Sequence, residues 1–265
     1  MFQQILSSLP HNYPWTDRFA YLDTVDSTND RLKLLAKQGA PHGSVLVAGH
    51  QSSGRGRLGR QFQSPEKAGV YLSCLLRPDC PPSQLMHLTC AVGAAMCNAV
   101  ESAFGFRPGI KWTNDLVWQK KKLGGILTEL GLTPQGMVDY AIVGIGINCT
   151  QSQQDFSPEL QDTATSIQMI TGAPASRAKL AAAMMTALAA MDAGLLSKKQ
   201  AMLTQYRQDC ITIGQDISLV RGEQVRRGHA LDVDEEGALV VSFPDGSIEA
   251  VSSGEVSVRG MYGYV

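Results

Sequence analysis

Gln51-Ser52-Ser53-Gly54-Arg55-Gly56-Arg57-Leu58-Gly59-Arg60 puts three glycines and three arginines into seven positions, between two apolar runs. Glycine lets the backbone take positive φ and come close to a ligand. Arginine offers a planar donor fork that suits phosphate and carboxylate. The stretch reads as a mobile anion cradle or, more plainly, as a solvated basic loop. Gly54, Gly56 and Gly59 also satisfy G-x-G-x-x-G, which would make the fold a doubly wound nucleotide-binding one if a strand led in and a helix led out. A strand does lead in at Ser44-Val45-Leu46-Val47-Ala48. The loop leads out through Gln61-Phe62-Gln63-Ser64-Pro65 to another strand-like run, Val70-Tyr71-Leu72-Ser73-Cys74-Leu75-Leu76. With no helix opening here, the dinucleotide reading fails, and the loop has to hold its anion without a helix dipole.

Working outward, Phe19–Leu22 is a first strand. Asp26-Ser27-Thr28-Asn29-Asp30 then opens an amphipathic helix that Gly39 and Pro41 stop. Ser27 and Asp30 resemble a capping box, so Ser27-Thr28-Asn29 taken alone is a helix cap. Residues 1–18 are too few for an independent domain. After the loop, Pro81-Pro82 starts a long helix that ends at Gly105. Ile110 to Trp118 reads as strand, kink, strand, and Lys120-Lys121-Lys122 reads as a solvated hairpin tip. Strands over 123–130 and 138–148 come next with no helix between them, which implies antiparallel pairing. Helices are expected near 162–171, 176–194 and 197–209. From Gly214 onward the texture is short alternating strands, near 216–221, 224–233, 238–243, 247–251 and 255–259, with turns at Gly222, Gly237 and Asp245-Gly246. The expected fold is α+β, a mixed, mainly antiparallel sheet with helices over 1–212, and a small all-β module over 213–265.

The 265 residues carry a net charge of −1, so no global attraction draws the chain to nucleic acid or to an acidic membrane. Hydrophobic content of 44% and charged content of 18% are those of a soluble globular protein. Six cysteines form no C-x-x-C pair, which points to reduced thiols in a cytoplasmic protein and away from structural zinc. No signal peptide and no run long enough to span a bilayer is present.

Polar islands recur at the ends of apolar strands: Ser27-Thr28-Asn29, Gln51, the arginine loop, Lys111-Trp112-Thr113-Asn114-Asp115 and Gly144-Ile145-Gly146-Ile147-Asn148. Groups gathered at strand ends are what a pocket needs. The combined set resembles the biotin–protein ligases. The matching pieces are Asp26-Ser27-Thr28-Asn29, Gln51-x-x-Gly54-Arg55-Gly56-Arg57, Lys111-Trp112-x-Asn114-Asp115-Leu116, Leu123-x-Gly125-Ile126-Leu127-x-Glu129 and Gly144-x-Gly146-Ile147-Asn148. Gly254-Glu255-Val256-Ser257-Val258-Arg259 fits the family's small C-terminal domain. Each piece is weak alone; the combination is specific and spans the chain from about residue 20.

The resemblance implies a catalytic domain related to class II aminoacyl-tRNA synthetases and an SH3-like barrel. It also implies a two-step reaction. Biotin and ATP with Mg²⁺ give biotinyl-5′-AMP and pyrophosphate, and a lysine of a biotin carboxyl carrier protein then takes the biotinyl group and releases AMP. It places Ser27, Thr28, Asn29, Gln51, Gly54, Arg55, Gly56, Arg57 and Gly125 at the biotin and adenylate site, and likens Asn148 to the family's adenine-contacting asparagine. No residue identifies itself as a metal ligand.

The chemistry adds three expectations. Bringing a carboxylate to an α-phosphate demands electrostatic stabilisation, and Lys111 is the expected bridge, with Arg57 beside it. The acceptor lysine must lose a proton, which costs about 4 kcal/mol near neutral pH; Asp115 either assists there or only forms a turn. Proline is usual in the family where Thr113 stands, and tryptophan where Phe62 stands. The short stretch before the first strand leaves no room for the winged helix of the bifunctional members, so no sequence-specific DNA binding is expected, nor any membrane partner. A monomer or weak homodimer is expected. Lipoate–protein ligase shares the fold but would need an Arg-Arg-x-Ser-Gly-Gly-Gly-type loop. A non-enzymatic biotin-responsive regulator and an RNA-binding module are the readings from other classes.

Overall fold

Gly69–Leu76 (β3) is buried along its whole length, and this sets the layering. A strand buried on both faces must be covered on both. Val70, Leu72, Cys74 and Leu76 enter one large core and Leu75 enters a second, smaller one. Side chains alternate across a strand, so Ser73 shares the face of Leu75. The structure is a computed structural model and describes residues 1–252 and 257–260.

In chain order the first part comprises Phe2–Ser8 (α1), Phe19–Val25 (β1), Thr28–Lys37 (α2), Ser44–Gln51 (β2), β3, Leu88–Phe104 (α3), Gly109–Lys111 (β4), Asp115–Trp118 (β5), Lys121–Leu132 (β6), Val138–Asn148 (β7), Ile167–Thr171 (α4), Arg177–Asp192 (α5) and Lys199–Asp209 (α6). The strands form one sheet in the order β1-β2-β3-β7-β6-β5-β4. β1 and β2 run parallel; β2–β3, β3–β7, β7–β6, β6–β5 and β5–β4 are antiparallel. The sheet is therefore mixed and mainly antiparallel, as the sequence implies. α3, α5 and α6 pack together over one face. α2 covers the other, where Leu32 and Ala36 meet Leu46, Leu75 and Ile142.

Asp216–Arg221 (β8), Gln224–Val233 (β9), Leu239–Ser242 (β10), Ile248–Val251 (β11) and Ser257–Gly260 (β12) form a second, antiparallel sheet in the order β11-β10-β9-β8-β12. It is docked on the first part through β9, where Arg207 of α6 donates to Val233 O at 2.7 Å, and through the turn that follows it. Trp112 Nε1 donates to Gly237 O at 3.0 Å, and His87 and Cys90, both buried, lie against the same glycine. Residues 254–256 of the terminal motif lie outside the described residues.

Three expected boundaries change. Residues 2–8 are helical, because Ile5 is fully buried and α1 docks on α5. The helix expected over 162–171 is only α4. Ser166 caps it by accepting from Met169 N at 3.1 Å, while Thr165 N donates to Lys122 O at 2.8 Å and draws the preceding segment alongside β6. The helix expected from Pro81 is a 3-10 turn over Pro82–Leu85, and α3 begins only after His87. Among the described residues no helix is long and apolar enough to cross a membrane.

Candidate active site

The first turn of α2, the loop after β2, the β4–β5 turn and the glycines of β6 and β7 converge on one cleft. Ser27, Thr28, Asn29, Gln51, Arg55, Gly56, Arg57, Asp115 and Gly125 all line it. The loop that closes it is ordered within itself. Gly56 N donates to Arg60 O at 2.7 Å and Phe62 N to Gly54 O at 3.0 Å, and Arg55 pairs with Gln61 in an antiparallel bridge. It is thus a small flap with a 3-10 turn over Arg57–Gly59 at its tip.

Glycine makes the floor. A Cβ at Gly144 would fall 2.0 Å from Asn29 Oδ1, and one at Gly146 would fall 2.5 Å from the Phe62 ring. Contacts that close leave no room for a side chain, so glycine inside β7 marks a close approach. Gly54 does not line the cleft. Its Cβ would meet Phe62 O at 2.4 Å, so the residue lets the two arms of the flap touch.

Two cations in the cleft have opposite surroundings. Arg57 donates to Asn114 Oδ1 at 2.9 Å; burial pushes its guanidinium pKa down, and the charge of Asp115 opposes that. Arg55 is half exposed and held by Asp30 at 2.5 Å, which raises its pKa.

The lysine in the lining of the cleft is Lys122. Lys111 is buried but does not line the cleft, although it sits opposite Asp115 in the β4–β5 register. Lys122 does line it, with Nζ 2.7 Å from Asp115 Oδ1. The lysine run at 120–122 is therefore not wholly a solvated tip. The β5–β6 register shifts between Leu116 and Val117, and the 163–165 segment bonds both backbone groups of Lys122. Gly125 stands opposite Asp115, and a Cβ there would sit 3.5 Å from both Asp115 Oδ1 and Lys122 Nζ, an ordinary contact, so the pair does not depend on glycine at this position.

Asn148 is also absent from the lining. It is buried at the end of β7, where it donates to Thr165 O at 3.0 Å and accepts from Gln151 Nε2 at 3.1 Å. The Trp112–Thr113 peptide is cis without a proline, and Thr113 O accepts from Tyr206 at 3.0 Å. The sequence alone assigns Lys122 no place in the cleft, whereas Asn114, Arg60, Gly144 and Gly146 fall in its polar islands without a role of their own. The glycine alternation in β7 is the one signal available for the last two.

A mixed sheet whose cleft gathers neutral hydroxyl and amide groups together with several cations suits a ligase that activates a carboxylate with a nucleotide. Residues 21–148 match the biotin/lipoate A/B protein ligase family, and residues 212–259 match the biotin protein ligase C-terminal domain. The bifunctional ligase/repressor BirA of Bacillus subtilis is 32% identical over 254 residues, 90% of this chain and 73% of that protein. The biotin–[acetyl-CoA-carboxylase] ligase of Mycobacterium tuberculosis is 31% identical over 87% of this chain and 85% of its own. Among solved structures, biotin protein ligase from Aquifex aeolicus in complex with biotin and ATP superposes with a TM-score of 0.77 at 31% identity, over 92% of this chain and 99% of that one. The chain belongs to the biotin protein ligase family, and it is a ligase.

Proposed function

We propose that the protein condenses biotin with ATP to biotinyl-5′-AMP and transfers the biotinyl group to a lysine of a biotin carboxyl carrier protein. The observation that carries this reading is the polarity of the cleft. Thr28 and Gln51 offer neutral polar groups suited to a ureido ring, and Arg57 and Lys122 line the same cleft as cations able to screen the two anions of the reaction. In the first step a carboxylate oxygen attacks the α-phosphorus and pyrophosphate leaves. Lys122, held by Asp115, lines the cleft and is read as bridging the two anions, beside Lys111, which pairs with the same Asp115 in the β4–β5 register. Arg57 screens the second anion. In the second step the acceptor amine attacks the mixed-anhydride carbonyl and AMP leaves, with Asp115 placed to orient the incoming amine.

Among the described residues no group of three or more His, Cys, Asp or Glu could hold a metal, and the one carboxylate lining the cleft, that of Asp115, is bonded to Lys122. Mg²⁺ is accordingly read as arriving on the triphosphate, as part of the substrate. We take 1–212 as the catalytic domain and 213–265 as the C-terminal one; the two sheets support that division. Six buried, unbridged cysteines support a cytoplasmic setting, and the net charge of −1 supports the absence of specific DNA binding.

The test is pyrophosphate release from ATP in the presence of biotin, lipoate or octanoate, followed by mass spectrometry of an added carrier domain. Release with biotin alone and a single biotinyl addition to the carrier are expected. Release with lipoate but not biotin would overturn the reading.

A further inference from the structure

Asn29 lines the cleft beside Thr28 and Gln51, and its surroundings fix which way its amide points. Nδ2 lies 2.7 Å from Glu129 Oε2 and 3.3 Å from Leu127 O. Both neighbours only accept, so the amide cannot turn over without setting oxygen against oxygen. Oδ1 therefore faces Ser73 Oγ, 2.6 Å away, and can only accept there. Ser73 has one hydroxyl proton, and Asn29 takes it.

A second contact now lacks a donor on that side. Ser73 Oγ is 2.7 Å from Thr28 Oγ1, and Thr28 Oγ1 is 3.0 Å from Gln51 Oε1. Gln51 is fixed as well: Oε1 accepts from Thr28 N at 2.9 Å and Nε2 donates to Ser64 Oγ at 3.0 Å. Three oxygen–oxygen contacts thus share two hydroxyl protons. With Ser73's proton committed, the proton of Thr28 goes inward to the nearer oxygen, Ser73. What Thr28 and Gln51 then present to the cleft is lone pairs, and this corner is one proton short.

We propose that Glu129 and Ser73, which do not line the cleft, are specificity-determining positioning residues that fix this corner as a receiver of a ligand N–H. The proposal rests on the biotin-ligase reading and deepens it. A cyclic urea brings ring N–H groups and completes the count, whereas a dithiolane or a plain acyl chain has none and leaves buried acceptors unpaired. Polarity passes from the Glu129 carboxylate to Asn29, to Ser73 and to Thr28. Lys33 helps hold the far end, with Nζ 2.5 Å from Glu129 Oε1.

Glu129→Gln tests this without changing shape. Lys33 keeps the oxygen of the new amide, so the NH₂ group turns toward Asn29 and the order is broken. Ser73→Ala breaks the same chain one step later. Each variant should raise the biotin KM about tenfold, the value of one buried hydrogen bond, while kcat and the ATP KM stay within about twofold. Because both act through one path, the double variant should be no worse than the poorer single one. Penalties that multiply, or an ATP KM that moves as far as the biotin KM, would overturn the proposal. If Ser73→Ala does not fold, Glu129→Gln is read by itself: a biotin KM unchanged within twofold overturns the proposal, and a tenfold rise with the ATP KM unmoved supports it. Wild-type protein that releases no pyrophosphate with biotin would sink the ligase reading itself, whereas active wild type with additive variants sinks only the positioning role.

Discussion

Lys122 Nζ and Asp115 Oδ1 meet at 2.7 Å across β5 and β6 and bring a lysine from a hairpin tip into the cleft. Their side chains are 30% and 18% exposed, partly screened from water, and a charge so placed acts more strongly than a fully solvated one. Lys122→Ala is expected to lower pyrophosphate release by a factor of about 10²–10³, or roughly 3–4 kcal/mol. Transfer from synthetic biotinyl-AMP should suffer much less, since the carboxylate is already activated. Lys111→Ala should cost less than Lys122→Ala in the first half-reaction. Rates for both half-reactions in both variants check this, and the reverse order would restore Lys111 as the bridge.

Arg57 is tied to Asn114 and is half-buried at the start of the flap's tip turn. Arg57→Gly should still form biotinyl-AMP but lose hold of it, because the flap keeps its backbone bonds and gives up the cation that rewards closure. Biotinylation of a bystander protein, measured by streptavidin blot, should rise several-fold. Equal bystander labelling by variant and wild type would count against the retaining role.

His87 gives a stability prediction with a definite sign. It is fully buried, with Nε2 3.0 Å from Leu195 O. Burial pushes its pKa below the ordinary value of about 6.5, and the bond to Leu195 O only partly opposes that. The unfolded chain therefore binds a proton at higher pH than the folded one does. The stabilisation is complete above about pH 6.5 and is lost as pH falls toward the depressed folded value. Thermal unfolding between pH 5 and 7 should show a decline in Tm on acidification that is shallower in His87→Gln. Parallel profiles would exclude His87 as the source.

All six cysteines are buried and unbridged. Burial raises their pKa values, to about 12 for Cys90 and Cys149, so little reactive thiolate forms near neutral pH. A thiol reagent should label native protein over hours and denatured protein at once, at all six positions. Rapid labelling of the native protein would show local opening.

Much of this architecture is open to reading from local pattern. The apolar runs of β2 and β3, the cap at Ser27 and the glycines of the flap are short-range signals, and the mixed sheet comes from strands lacking intervening helices. Lys122 is hidden because its place depends on a register shift at Leu116/Val117 and on the 163–165 segment, far downstream. A run of three lysines carries no trace of either. α1 escapes notice because only Ile5 of its seven residues is buried, and its stability comes from docking on α5 rather than from an apolar stripe. The hydroxyl of Thr113 is buried without a partner, which no local pattern could reveal. Ser73 looks like one more small residue in a buried strand, and only the fold shows that it lies between Asn29 and Thr28.

The bond from Trp112 to Gly237 has a practical consequence for anyone reshaping this chain. One turn holds Trp112, which grips the terminal sheet, and Asn114 and Asp115, which face the cleft. Cutting the chain after α6 to make a smaller catalyst would therefore strip the indole of its acceptor three residues from the chemistry. A library meant to tune activity should include positions 234–238 although none of them lies in the pocket.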